Sequence, residues 1–534
     1  MSRPLRRAED HDVLVAHSPP AKETPVTSLW LDDQRERIAS DTFEPGARYD
    51  AVVAGAGITG LTTALLLARA GLSVAVLEAR FVGAVSTGHT TAKLSLLQGT
   101  VLSGILSRGS SHVLKAYVEG NREGQAWLLR YLDEHGVEVQ RRDAFTYAST
   151  PDGVKRLDAE YEACRKAGLD VERLHTLDLP FETHGGLRLR DQAQFQPMDV
   201  LAALAADLRE RGGVIIEGAR VKDVETGEPS KVTTSLGDVR AGTVVLATGI
   251  PILDRGLYFA KVKPLRSYAQ AYRVPGQLPQ GMYLSIDSPS RSLRTAPTGQ
   301  EELLVVGGNG HVVGREDDTQ RLVDDLEQWT KKHFPGAERT HAWSAQDYRS
   351  MNLVPFVGWM PRTGKHVTLA TGYNKWGMTN GVAAALSMTA DILDGNISWA
   401  KTLHHRVTLP KDVANSVVAN AQVAGELASG WVGSLHPLPD EPPGEGEGVV
   451  GAEDKEPAAV STVDGVTCRM SAVCTHLGGI VSWNSAERSW DCPLHGSRFA
   501  ADGTLLEGPA VEDLKPIDEP ELPGDEHVPV EELP

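Results

Sequence analysis

Four side chains near the C-terminal end of the chain have the types and spacing of a metal centre. They form two tight pairs, Cys474-Thr-His476 and Cys492-Pro-Leu-His495, with fifteen residues between His476 and Cys492. Thiolate and imidazole are side-chain donors that bind transition metals firmly, and each pair supplies one of each. Four-cysteine zinc sites and Cys2His2 fingers use other spacings, so a zinc ribbon of unusual spacing is the bland alternative. The stretch CTHLGGIVSWNSAERSWDCPLHGSRF (474–499) also carries the glycine, proline and serine expected of tight metal-binding loops.

A second group lies near the other end. Gly55-Ala-Gly57-Ile58-Thr59-Gly60 is a GxGxxG run. It follows an apolar, β-branched strand (49–54) and opens a helix from about Ile58 to Ala70, stopped by Gly71. A strand from Leu72 to Leu77 then ends in Glu78. This is the context a dinucleotide-binding fingerprint requires. Gly55 makes the tight turn, Gly57 lets backbone approach a pyrophosphate, and Gly60 lets helix and strand pack closely. The helix N-terminus attracts the phosphate charge, and Glu78 accepts hydrogen bonds from a ribose. The alternative is a purely structural Gly-rich turn in a plain α/β unit.

The elements that must position these groups fill a chain of 534 residues, long enough for several domains. Net charge is −18 and the pI about 5.4, which argues against nucleic-acid binding and against docking on anionic membranes by charge. The four cysteines are too few for a disulfide scaffold and suit a metal site in a reducing compartment. Arg6 and Arg7 precede no apolar stretch, and the glycines, threonines and Arg69 of 51–77 suit a strand–helix–strand unit better than a membrane span, so a cytoplasmic protein is expected. Residues 1–46 read as a loose arm. Helices are expected over 111–135, 154–167, the DDTQRLVDDLEQWTKKHF stretch and 411–430. Strands are expected within 214–225 and 242–249, and 366–393 repeats the strand–Gly turn–helix theme. HPLPDEPPGEGEG (436–448) has the composition of a spacer, and the tail after 517 is acidic and Pro-rich. The expected divisions are an arm (1–46), a main domain (47–431), a linker (432–443), a metal-binding domain (444–517) and a tail (518–534).

Over about residues 45–400 the chain resembles the D-amino-acid oxidase / glycine oxidase family of flavoproteins. STGHTTAKL (86–94), QAQFQPMDV (192–200), VVLATG (244–249) and ATGYNKWGMTNG (370–381) carry the resemblance. It implies an α/β, Rossmann-like FAD-binding domain of the glutathione-reductase type with an α+β substrate-side subdomain. It implies FAD held by Gly55, Gly57, Ile58, Thr59, Gly60, Glu78, Ala79, Thr87, His89, Thr90, Val221, Thr248, Gly249, Gly372, Gly377, Met378 and Thr379. Ser86-Thr87-Gly88-His89 is similar to the context in which dimethylglycine dehydrogenases carry flavin covalently on histidine, but the flanking residues differ, which favours a locally hydrogen-bonded His89. Gly307-Gly-Asn-Gly310 lacks strand–helix context, so no separate NAD(P)H domain is expected.

The cysteine–histidine pairs, over about 444–517, resemble Rieske [2Fe–2S] domains, small and all-β. The resemblance implies that Cys474 and Cys492 hold one iron and His476 and His495 the other. High-potential members carry a bridging cysteine in each loop; here those positions are Gly479 and Leu494, so no bridge can form. Ser497 matches the serine that bonds a cluster sulfur and Phe499 stands where some members have tyrosine, which together imply an intermediate potential. Cys164 and Cys468 read as buried small apolar residues.

The whole architecture resembles bacterial fusions of a glycine/D-amino-acid-oxidase-like flavoprotein with a Rieske domain. It implies an oxidoreductase that takes hydride from a small amine, amino acid or hydroxy compound onto FAD and passes single electrons through the cluster to a partner protein. Arg294, Tyr258, Tyr268 and Tyr373 are the substrate-site candidates, each with a structural alternative; Tyr268 and Tyr272 also suit a packed sheet face. Rival readings are a reductase with reversed flow, a non-catalytic redox module, and an oxygenase, for which the sequence around the adjacent His404-His405 shows no obvious acidic partner.

Overall fold

A computed structural model describes residues 27–32, 37–299, 301–405 and 410–517. The expected tail (518–534) and most of the expected arm lie outside the described residues.

The apolar 49–54 run becomes strand Arg48–Ala54 at the heart of an eight-stranded sheet. It pairs in parallel with Val74–Leu77 on one side and Gly237–Leu246 on the other. Strands buried on both faces read as unbroken apolar runs, and VAVL and VVL do so. Val214–Ile216 and Val367–Thr371 extend the parallel order, and Phe356–Trp359 closes it antiparallel. The 214–225 stretch is two strands rather than one. Val221–Glu225 turns away to pair with Ser230–Thr234 instead of continuing along the sheet. Helix Ile58–Arg69 packs between Pro197–Glu210 and Gly377–Ile392 over one face.

The middle of the chain builds a second sheet of nine strands. Its long members Val262–Arg273, Glu301–Val312 and Glu338–Ser350 are antiparallel neighbours. Alternation along Val262–Arg273 divides two environments. Ala269 and Ala271 join the core shared with the first sheet. Tyr268 and Tyr272 join a separate aromatic core covered by helix Thr319–His333.

The C-terminal lobe has a three-stranded antiparallel sheet, Gly448–Glu453, Glu456–Val463 and Val466–Ser471. A second sheet of four short strands runs from Ser482 to Glu507. Helix Pro410–Gly433 enters the expected linker and lays Val423 and Leu427 on the core of this lobe. The Pro/Gly/acid stretch that follows is tied to the lobe: His436 and Leu438 exchange backbone hydrogen bonds with Ala452, and the Trp483 indole donates to the Gly446 carbonyl.

The expected looseness of the arm does not hold for its described part. Trp30 is 2% exposed, its indole donates to the Thr90 carbonyl at 2.5 Å, and the Ser28 hydroxyl donates to the Gly88 carbonyl. Asp41 accepts from the Ile215 N–H and pairs with Arg209. One apolar SLWL segment in polar surroundings is the signal that the arm docks.

Candidate functional site

A cavity of about 770 Å3 opens where the strand ends of the first sheet meet the inner face of the second. Its dinucleotide end is built by the fingerprint turn. A Cβ on Gly60 would stand 1.9 Å from the Gly55 carbonyl oxygen, so helix and turn touch as backbone only. Gly55 has φ +104° and no room for a side chain against Ala247. Glu78 is 8% exposed and accepts from the Ala56 and Arg80 N–H groups at 2.8 and 3.0 Å. Burial pushes its carboxyl up, opposed by those N–H groups and by the Arg220 and Arg80 charges. Of the residues expected to hold FAD, all but Gly60 and Thr379 line the cavity. Gly60 works from behind the turn, and the Thr379 hydroxyl bonds Gln98 and Trp376 instead.

His89 borders the cavity, and its Nδ1 donates to the Val85 carbonyl at 2.8 Å. That is the local hydrogen bond expected of it. The Trp343 indole donates to the His89 carbonyl, and the Trp343 and Trp30 rings meet edge to face. Two tryptophans thus hold the 86–90 loop. Tyr373 borders the cavity, its hydroxyl 3.0 Å from that of Thr59.

Of the other substrate-site candidates, Arg294 and Tyr258 stand off the cavity and Tyr268 lies on its wall. Arg294 is 1% exposed, and its guanidinium donates to the Thr295, Thr91, Ala92 and Phe195 carbonyls, outside the cavity lining. Tyr258 packs on Phe356 away from the cavity. Tyr268 touches the cavity, but its ring stacks on His311 at 5.5 Å. Two lysines that residue type alone did not single out face the cavity instead. Lys93 donates to the Ser292 and Thr91 hydroxyls, and no carboxylate among the described residues pairs with it. Enclosure by the walls pushes its ammonium down to about 7, with the Arg294 charge adding to the effect. Lys375 donates to the Ser267 hydroxyl at 2.6 Å, and its backbone N–H donates to Asp347, whose carboxyl burial pushes up to about 6.

In the C-terminal lobe the four expected metal ligands come from two loops that set thiol beside thiol and imidazole beside imidazole. Cys474 and Cys492 are 2% exposed and unbridged. A hydrogen bond from Cys492 holds the Cys474 thiol low, helped by the His476 N–H, the Ser497 hydroxyl and the Leu477 N–H. The same contact and burial push Cys492 up. The imidazoles of His476 and His495 stand edge to face, ring centres 5.1 Å apart. Burial lowers the pKa of both, His495 to about 4, so both are neutral at pH 7, the form that binds metal. His476 Nδ1 is buried without a hydrogen-bond partner. No single point among the described residues gathers three or more such donors. Two thiols on one side and two imidazoles on the other match a cluster that divides its ligands two and two. A Cβ on Gly479 would meet Leu494 at 2.6 Å, so a glycine and a leucine occupy, in contact, the places of the missing bridge. Phe499 is fully buried, while Cys468 is only half-buried on the strand Val466–Ser471.

The lobe sits directly on the flavin side. Arg266 pairs with Glu487 and, at 3.1 Å, with Glu507; Arg498 reaches Glu487, Asp491 and Glu507 at 2.9–3.2 Å. Burial would push Glu487 up, but the two guanidiniums hold it well below the usual carboxylate range. Gln346, a cavity residue, donates to the Gly496 carbonyl at 2.7 Å. Gly496 has φ +84° and a Cβ there would strike Pro264 at 2.6 Å, so only glycine permits this approach. Leu506, Glu507, Gly508, Ala510 and Val511 complete the cavity wall.

Comparison with known proteins agrees. Residues 50–391 match the FAD dependent oxidoreductase (DAO) family model, and residues 441–518 match the Rieske [2Fe-2S] domain. The chain belongs to the FAD dependent oxidoreductase family and carries a C-terminal Rieske domain; it is an oxidoreductase with FAD and a [2Fe–2S] centre as its cofactors. A Bacillus subtilis (strain 168) protein described as a Rieske 2Fe-2S iron-sulfur protein, YhfW, is 30% identical over 93% of this chain and 98% of its own. The cytochrome b6-f complex iron-sulfur subunit of Synechococcus sp. (strain JA-2-3B'a(2-13)) is 31% identical, over 19% of this chain and 79% of that subunit. The fold of glycine oxidase from Geobacillus kaustophilus superposes with a TM-score of 0.57 at 19% identity, over 66% of this chain and 96% of that one. No helix among the described residues is long and apolar enough to cross a membrane.

Proposed function

We propose that the protein oxidises a small, carboxylate-bearing amino acid, amine or hydroxy acid in the cavity and delivers the electrons singly to a partner protein. When bound, FAD accepts two electrons as a hydride and the cluster carries one at a time. Lys93 and Lys375 are the anchors for the carboxylate: both ammonium groups face the cavity, and Lys93 has only hydroxyl partners. Lys93 is half-buried, and a cation partly withdrawn from water with no anion beside it gains from one. Asp347 braces the 373–377 loop through the Lys375 N–H and so sets where that anchor stands. Tyr373 and Trp376 shape the wall beside it. Cysteines that form no disulfide among the described residues suit work in the cytoplasm.

One observation carries the coupling of the two sites. The Ala510 N–H, on the cavity wall, donates to the Ser497 hydroxyl oxygen at 3.0 Å, and the Ser497 carbonyl accepts from the Cys492 N–H at 2.8 Å. Cavity and cluster loop are thus one contact apart within a single chain. Direction is tested by one anaerobic titration that follows flavin absorbance and cluster EPR together. A cluster midpoint above that of the flavin is expected. A cluster well below it makes the protein a reductase fed by its partner.

A further inference from the structure

We propose that Asp254, a residue of the flavin side, is the outer partner of the ligand His476 and holds the cluster's reduction potential down. The assignment rests on the reading of His476 as a cluster ligand.

Asp254 lies in the turn that follows the 244–249 strand end. Its Oδ1 is 3.3 Å from His476 Nε2. A carboxylate only accepts, so Nε2 carries the proton and donates, which leaves Nδ1 as the ring's metal-binding nitrogen. Nδ1 is the buried atom with no partner. The contact therefore fixes the tautomer and the ring plane, as the outer partners of metal-bound histidines do. The same turn delivers Phe259, whose ring meets His476 and His495 edge-on at 5.5 and 4.8 Å and keeps water from both imidazoles. The His476 side chain is 8% exposed while that of Asp254 is 55% exposed, so the carboxylate stands at the solvent rim of the ligand ring. Leu257, whose N–H bonds the Asp254 carbonyl, has φ +52°. A leucine stays in that region only where its surroundings hold it there.

The second imidazole has the opposite neighbour. Arg315 donates to the Pro493 carbonyl at 3.0 Å, and its charge acts on His495. One ligand is thus paired with an anion and the other lies near a cation. A negative charge at His476 favours the oxidised, more positive cluster and lowers its potential. It opposes the Ser497 hydroxyl on the sulfur side.

The test is an EPR-monitored redox titration of the full-length holoprotein as parent, D254N, D254A and D191N. Asp191 is a remote, 77%-exposed control. The expected result is a cluster midpoint that rises in D254N and at least as far in D254A, with D191N and every flavin midpoint unmoved. Pulsed EPR should show a changed coupling for one histidine nitrogen and not the other. Full iron and sulfide content with unshifted midpoints in both Asp254 variants overturns the assignment. Absence of iron and sulfide from the parent overturns the cluster reading beneath it, and the assignment with it.

Discussion

Lys93 shows how much a single residue's role depends on its enclosure. Its pKa falls from 10.5 to about 7 because the cavity walls desolvate the ammonium. Below about 7 the group is charged and attracts a carboxylate; as pH rises through that value it becomes neutral and the attraction is lost. The dissociation constant of a small carboxylate such as benzoate, read from flavin absorbance, should therefore rise above neutrality, by up to about tenfold per pH unit. K93M should bind the probe weakly at every pH, by roughly ten- to a hundred-fold, the loss of one charge-assisted hydrogen bond. A parent-like pH profile in K93M removes Lys93 from the anchor. The same shift has a stability consequence of defined sign. Between about 7 and 10.5 the unfolded chain holds the proton more than the folded one, so this group makes stability increase with pH across that window.

At the level of elements, the cofactor loops depend on segments that do not belong to them. The 86–90 loop is held by Trp30 from the arm and Trp343 from the second sheet, through hydrogen bonds to the Thr90 and His89 carbonyls. W30A should cost about 3–5 kcal/mol, as for a buried aromatic cut to a methyl. It should also loosen FAD, because Thr87 and Thr90 line the cavity on that loop. Thermal melts with and without added FAD, together with flavin retained after gel filtration, check both effects. Undiminished flavin retention would reduce Trp30 to a packing residue. The 370–377 loop is braced in the same manner by Asp347 from strand Glu338–Ser350.

In the whole molecule, the decisive feature is the docking of the C-terminal lobe. Arg266 and Arg498 share Glu487, Glu507 and Asp491 in a buried cluster, with Arg266 4% exposed. Such pairs add little net energy when intact but are costly to break from one side. R266M leaves Glu487 short of a partner and should weaken the docking by about 3–5 kcal/mol. The expected signs are faster proteolytic cleavage in 436–448 and slower cluster reduction after flash reduction of the flavin. An unchanged transfer rate would mean that the lobe is held by its other contacts, such as Gln346 to Gly496.

Both cofactor motifs were legible in the sequence because each is local. The fingerprint fits in one strand–turn–helix, where glycines at fixed spacing meet a backbone requirement. The cluster ligands lie on two short loops whose residue types define the metal chemistry. Amphipathic helices and the apolar parallel strands were legible for the same reason, since their periods are written over a few residues. The second sheet was not: its strands pair across long separations, and only its register shows that Tyr268 turns to an aromatic core. Arg294 illustrates the limit, for a residue's type names its chemistry but not the direction in which its strand points it. Tertiary structure alone decided that Lys93 and Lys375 share one cavity, that the arm's Trp30 guards a loop far along the chain, and that Asp254 meets His476 222 residues away. Those juxtapositions follow from how two sheets and a lobe pack, and packing leaves no short-range pattern in a sequence.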